Sequence, residues 1–217
     1  MKVLVIVPCY NAEKFIEGTI KDIQKYHKNI LIVDDGSTDR SYELLKKMKY
    51  IKLMRHLHNK GKGAALKTGF SYAIKNNFDA VITIDADGQH KASDIPRFIT
   101  ESNRSDIIIG NRMHNIKNMP FTRIIANTLS SFLVSTKCKQ EIPDSQSGYR
   151  LIKANVLKNI KLEQDDYQME TEMLLKTIRK GYRINHIPIQ TVYGKEKSHI
   201  NPFDITWQFV KVILYNK

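Results

Sequence analysis

The chain has 217 residues, with 35 Lys and Arg against 22 Asp and Glu, a formal charge of +13. That length suits one domain able to fold without disulfides or structural metal, and Cys9 and Cys138 lack the paired spacing of a zinc site or redox motif. No apolar run reaches the roughly 20 residues that cross a bilayer, and the segment 1–8 is too short for a signal peptide. A cytoplasmic protein with an anionic partner is therefore expected: nucleic acid, a phosphorylated ligand or an acidic membrane face.

Short β-branched runs alternate with helical patterns. In chain order these are a strand at 2–7, a helix at 12–26, a strand at 29–33, a helix at 41–49, a strand at 51–55 and a helix at 64–76. A strand at 80–84, a helix at 95–102 and a strand at 106–109 follow. The alternation predicts an α/β fold, a mostly parallel sheet flanked by helices. The runs 3–7, 30–33 and 107–109 are apolar on both faces, as central strands covered on each side must be. Past Asn111 the rhythm changes to a helix at 120–136, a helix at 168–180, a strand at 183–192 and an apolar, lysine-flanked tail at 202–215 with Trp207. No linker, low-complexity tract or repeat divides the chain, so 1–217 reads as a single domain.

In an open parallel sheet, ligands bind beyond the carboxyl ends of the strands, and the unusual residues fall there. The strand ends read Pro8-Cys9-Tyr10-Asn11-Ala12-Glu13, Asp34-Asp35-Gly36-Ser37-Thr38-Asp39, Asp85-Ala86-Asp87-Gly88-Gln89-His90 and Gly110-Asn111-Arg112. Asp85, Asp87 and Gln89 offer hard oxygens of the kind that suit Mg²⁺ or Mn²⁺, ions that bridge substrate phosphates. A lone Asp-x-Asp-Gly is more often a polar turn, but three further polar ends at the same edge favour a site. Ser37–Asp39 read as helix capping, whereas Asp34 and Asp35, two adjacent carboxylates, require hydrogen bonds, as from a ribose or base. Cys9 has no His/Asn arrangement and is assigned no chemistry.

Asn59-Lys60-Gly61-Lys62-Gly63 through Lys67-Thr68 invites a phosphate-loop reading, but Leu66 stands where that loop needs glycine. Gly61 and Gly63 are read instead as allowing close passage to a ligand, with Lys60 or Lys62 near a phosphate.

Together these stretches resemble the family 2 glycosyltransferases of GT-A fold, in particular the dolichyl- or polyprenyl-phosphate mannose synthase branch. Asp144-Ser145-Gln146-Ser147-Gly148-Tyr149-Arg150 and Tyr193-Gly194-Lys195-Glu196-Lys197 complete the series in family order. The resemblance implies that residues 1–112 form the nucleotide-sugar half and 113–217 the acceptor half. It implies that Pro8, Tyr10, Glu13, Asp35, Lys62 and Asp85 hold the nucleotide, and that Asp85, Asp87 and Gln89 meet Mg²⁺ or Mn²⁺. Arg112, Arg123 and Lys197 would receive an acceptor phosphate, with Glu196 leaving open which of Lys195 and Lys197 does so.

The implied reaction is inverting transfer of a hexose, foremost mannose from GDP-mannose with UDP-glucose as the other donor, to a polyprenyl phosphate. Asp87 and Arg112 would stabilise charge there. A hydroxyl acceptor would instead require a base, for which Asp144 is the candidate, its other reading being a structural turn with an internal ion pair. Helix 120–136 and the tail read either as core or dimer elements or as membrane contacts. A lipid acceptor would be met there, or through an anchoring partner protein, at the cytoplasmic face of a membrane. A catalytically silent nucleotide-sugar or nucleic-acid binder is the competing class. Dispersed cations and a carboxylate-rich crevice argue against nucleic acid.

Overall fold

The computed structural model of the chain describes residues 1–117 and 119–192. The first half runs β1 (Val3–Cys9), α1 (Ile16–Tyr26), β2 (Ile30–Asp34), α2 (Ser41–Lys46), β3 (Lys52–Arg55), α3 (Lys62–Lys75), β4 (Ala80–Thr83), α4 (Ile95–Glu101) and β5 (Ile107–Asn111). Then come α5 (Phe121–Cys138), β6 (Arg150–Lys153), α6 (Ala154–Asn159), α7 (Gln168–Arg179) and β7 (Ile184–Pro188). The sheet order is β3-β2-β1-β4-β6-β5-β7. Among the described strands only β6 runs antiparallel to its neighbours, pairing Val81 with Ile152 and Ile108 with Leu151.

Alternation along each strand sends side chains to opposite faces. Val3, Val5 and Val7 pack with Ile16, Ile20 and Ile23 of α1 and Phe98 of α4. Leu4 and Ile6 face the other layer, with Leu66 and Phe70 of α3 and Met169 and Met173 of α7. Each such side chain removed from water contributes about 1.5–3 kcal/mol, so this two-sided core holds the strand ends in a fixed array. Helix α3 comes close because Gly69 has no side chain; a Cβ there would meet Ile6 at 2.7 Å.

Several boundaries differ from expectation. Helix α1 starts late because the Ala12 carbonyl accepts from the amides of Phe15 and Ile16 in a tight turn, which the Ser41 hydroxyl anchors through the Ala12 amide. Strand 183–192 divides at Pro188. Beyond it Thr191 bridges antiparallel to His90, and the Val192 amide donates to the Gln89 carbonyl at 2.9 Å. β6 and α6 were not expected, since Arg150-Leu151-Ile152-Lys153 is a four-residue run with a cation at each end. Tertiary pairing makes it a strand, and its antiparallel direction brings Arg150 to the edge where the parallel strands end. No helix among the described residues is long and apolar enough to cross a membrane.

Candidate active site

The ends of β1, β2, β4 and β5 and the start of β6 line one edge of the sheet. At β1 and β2 the polar side chains lace two loops together. Asn11 Oδ1 accepts from the Thr38 amide at 2.8 Å, and Glu13 Oε2 from the Arg40 amide at 3.1 Å. Asp39 accepts from the amides of Ser41 and Glu13. Burial alone would raise its carboxyl, but hydrogen bonds led by Ser41 hold it below the ordinary Asp value. Tyr10 is exposed beside this lattice.

Asp34 and Asp35 are both buried. Asp35 accepts from the Lys60 and Gly61 amides and from His56 Nδ1 at 2.6 Å, while His56 Nε2 meets Thr68 Oγ1 at 2.9 Å. Asp34 faces the Arg55 guanidinium, whose Nε lies 3.1 Å from Oδ2 but off the line a hydrogen bond needs. The protein itself therefore compensates both carboxylates, and Asp35 shapes the loop leading into α3. Gly61, at φ 98°, caps that helix, and Gly63 presses on residue 165, where a Cβ would lie 2.7 Å from the backbone. The close approach these glycines allow is to the chain's own 165–166 segment.

Past β4, Asp85 sits between three groups. Lys62 Nζ lies 2.7 Å from Oδ1, His90 Nε2 lies 3.6 Å from Oδ2, and Gly148 packs so closely that any side chain there would strike the carboxylate. Burial pushes the Asp85 carboxyl upward, but Lys62 and then His90 outweigh it and hold the group well below the ordinary range. Lys62 also pairs with Glu170 Oε2 at 3.1 Å. Burial would lower its ammonium, yet Asp85 and Glu170 hold it above the usual lysine value. Asp87 Oδ1 accepts from the Gln89 amide, and Gln89 Oε1 accepts from Arg123 Nη1 at 3.3 Å. A cation at the start of α5 thus reaches the Asp-x-Asp-Gly-Gln motif.

After β5, Arg112 grips Asp144. Its Nε and Nη2 donate at 2.8 Å to the two carboxylate oxygens, and its backbone amide donates at 2.9 Å. Asp144 has no exposed surface, so it forms the internal ion pair that was one of its two readings. Arg150 is likewise fully buried and donates to the carbonyls of Ser145, Ser147 and Glu170. It clamps the 144–149 loop to the start of α7. Lys195, Lys197 and the 202–215 tail lie outside the described residues.

Asp85, Asp87 and the Gln89 amide oxygen are donors that fit a hard divalent ion. Among the described residues no three His, Cys, Asp or Glu side chains gather into a metal cluster. The donor set therefore fits an ion whose coordination a diphosphate and water complete, and it falls short of a closed protein cage. A cavity of about 490 Å³ flanks this edge, lined by Lys91, Arg97, His114 and Gln190 among others. A second, of about 620 Å³, lies off it between β3 and α3, with Lys60, Lys67 and Lys75. Cys9 is buried, and desolvation with the nearby Asp34 charge pushes its thiol up to about 12, so it stays protonated.

Sequence reasoning missed Glu170. It lies in the first turn of α7, inside Gln168-Met169-Glu170-Thr171-Glu172, and Glu172 beside it is also buried, accepting from the Glu163 and Gln164 amides. Two glutamates two positions apart on a helix otherwise reading as amphipathic were the available signal. His90 lay within the quoted motif, without a role, and its ring packs 5.1 Å from Tyr149.

The sheet, with acidic and basic strand ends facing one crevice, defines a GT-A fold. The family model described as Glycosyl transferase family 2 matches residues 4–161. The chain belongs to that family and is a glycosyltransferase. It is 31% identical over 215 residues to the UDP-N-acetylglucosamine–dolichyl-phosphate N-acetylglucosaminyltransferase of Methanococcus voltae, covering 88% of this chain and 86% of that one. It is 26% identical to the undecaprenyl-phosphate mannosyltransferase of Micrococcus luteus, covering 88% and 84%. Among solved structures, glucosyl-3-phosphoglycerate synthase from Mycobacterium tuberculosis, in complex with Mn²⁺, UDP and phosphoglyceric acid, superposes with a TM-score of 0.76. That match has 17% identity and covers 98% of this chain and 77% of that one.

Proposed function

We propose that the protein transfers a hexose from a nucleoside-diphosphate sugar to a polyprenyl phosphate at a membrane surface. The observation that supports this most directly is the contact between Arg123 and Gln89. Arg123 lies in the first turn of α5, and α5 exposes Phe121, Ile125, Leu129 and Phe132 at helical spacing while burying Asn127, Ser131 and Val134 on the other side. One helix thus joins a face suited to a lipid surface to a cation at the donor motif.

The chemistry follows from these placements. Asp85, Asp87 and Gln89 would hold the divalent ion, which when bound neutralises the departing nucleoside diphosphate. We assign Pro8, Tyr10 and Glu13 to the donor nucleotide, with Asp35 acting through the loop it holds at Lys60 and Gly61, and Lys62 adds positive charge beside Asp85. An acceptor phosphate oxygen attacks the anomeric carbon opposite the diphosphate, forming the new C–O bond as the old one breaks and inverting that centre. The nucleophile is already anionic, so cations that position it matter more than a base. We assign that task to Arg123, with Lys195 or Lys197, outside the described residues, as the second cation, and to Arg112 only in so far as its pairing with Asp144 allows. Asp144, locked by Arg112, is poorly placed to accept a proton from a hydroxyl.

The relatives' names differ in the sugar, N-acetylglucosamine in one, mannose in another and glucose in a third. The test is therefore a panel of radiolabelled GDP-mannose, UDP-N-acetylglucosamine and UDP-glucose, each incubated with protein, Mn²⁺ or Mg²⁺ and either a polyprenyl phosphate or a mixture of soluble glycans, then partitioned into organic solvent. Label moves into the organic phase with one donor. If label from every donor stays aqueous but appears on a soluble glycan, the acceptor is a hydroxyl and the proposal fails.

A further inference from the structure

We infer that Lys62 is a tethered cation that holds Asp85 until a donor arrives, so that a divalent ion binds together with the donor diphosphate and not ahead of it. This rests on the metal reading above and adds an order to it.

The lysine has little freedom. Its backbone opens α3, where the preceding amides of Lys60 and Gly61 are held by Asp35, and the Ala64 amide donates to the Asp165 carbonyl at 2.8 Å. From that fixed root the ammonium reaches Asp85 Oδ1 at 2.7 Å and Glu170 Oε2 at 3.1 Å, and the side chain is 17% exposed. The other Asp85 oxygen is approached by His90, and Gly148 closes that side. An ion that takes Asp85 must therefore displace an ammonium or sit against it, and like charges repel strongly where water is scarce.

A diphosphate removes that conflict. Its oxygens ligate the ion and also offer the ammonium new anionic partners. Glu170 gives Lys62 somewhere to stay when Asp85 turns to the metal: it is buried, its Oε1 accepts no hydrogen bond among the described residues, and its Oε2 already holds the Lys62 ammonium at 3.1 Å, with the buried Arg150 guanidinium adding to the positive field around it. The Asp85–Lys62–Glu170 arrangement thus has two usable states, one with the ammonium shared and one with it moved toward Glu170 and the diphosphate.

The test titrates Mn²⁺ into nucleotide-free protein and reads free Mn²⁺ by electron paramagnetic resonance, for wild type, Lys62→Met and Lys62→Gln, with folding checked by circular dichroism. The two substitutions keep a side chain of similar length or polarity, so one folded variant suffices. Without nucleotide, the variant is expected to bind Mn²⁺ at least tenfold more tightly than wild type. Adding GDP or UDP should tighten wild type at least tenfold and close the gap to threefold or less. A gap that persists unchanged with nucleotide reports only through-space charge and overturns the inference. Equal titrations without nucleotide, with Asp87→Ala weakening Mn²⁺ binding, overturn it while leaving the metal reading intact. If neither wild type nor variant binds Mn²⁺ even with GDP or UDP, the metal reading itself has failed and takes this inference with it.

Discussion

Replacing Asp144 with alanine should destabilise the fold before it affects chemistry. The carboxylate has no exposed surface and accepts three hydrogen bonds from Arg112, at 2.8, 2.8 and 2.9 Å. Removing one partner of a buried pair costs about 3–5 kcal/mol, because the remaining charge is left uncompensated. The Arg112 side chain is 13% exposed, so water can answer part of its charge, which places the loss near the lower end, about 3 kcal/mol. In a domain of this size each kcal/mol moves the melting temperature by about 2–4 °C, giving a drop of roughly 6–12 °C. Urea unfolding followed by far-ultraviolet circular dichroism measures it. The double variant Arg112→Met with Asp144→Leu should recover most of the loss, since no charge is then stranded. An Asp144→Ala protein that unfolds at the wild-type midpoint yet has lost all turnover would refute the reasoning and return Asp144 to the role of a base.

Arg123→Ala should raise the acceptor KM about ten- to a hundredfold, from the loss of one charge-assisted contact worth about 1.5–3 kcal/mol, while donor affinity by calorimetry changes less than threefold; an equal loss on the donor side would move Arg123 to the diphosphate. The Cys9 thiol, raised from 9.0 to about 12, should make stability pH-dependent only in alkali. The unfolded chain releases that proton from about pH 9 and the folded chain near 12, so the stabilisation present below pH 9 fades between those values. Cys9→Ala lacks this term, so the wild type's margin over it, taken from urea midpoints, should narrow from pH 9 to 11; a constant margin contradicts the buried-thiol assignment. Phe121→Asp with Phe132→Asp should weaken sedimentation with anionic vesicles at least tenfold, as each large apolar side chain buried contributes about 1.5–3 kcal/mol. Unchanged sedimentation would assign that stripe to something other than lipid.

The resemblance to family 2 glycosyltransferases was legible in the strand-end motifs, and the matching family model covers most of the same stretch. Asp85, Asp87 and Gln89 stood out as candidates only because three further polar strand ends fall at the same sheet edge; alone, an Asp-x-Asp-Gly is more often a polar turn. Asp35 was equally visible, but its partners were not: His56 and the 60–61 amides belong to a loop whose path is set by packing against residues 165–166.

Hydrophobic periodicity is a local property, and it determined β1 to β5, α1 and the long helices α3, α5 and α7 to within a few residues. It could not determine β6, because a four-residue run with a cation at each end becomes a strand only when two neighbours supply its hydrogen bonds and a set of carbonyls buries Arg150. The same limit explains the site. Lys62 and Glu170 lie 108 residues apart, and Arg112 and Asp144 lie 32 apart. Such charges reveal themselves as pairs only after the sheet has closed and water has left, since burial is what obliges each to find a partner.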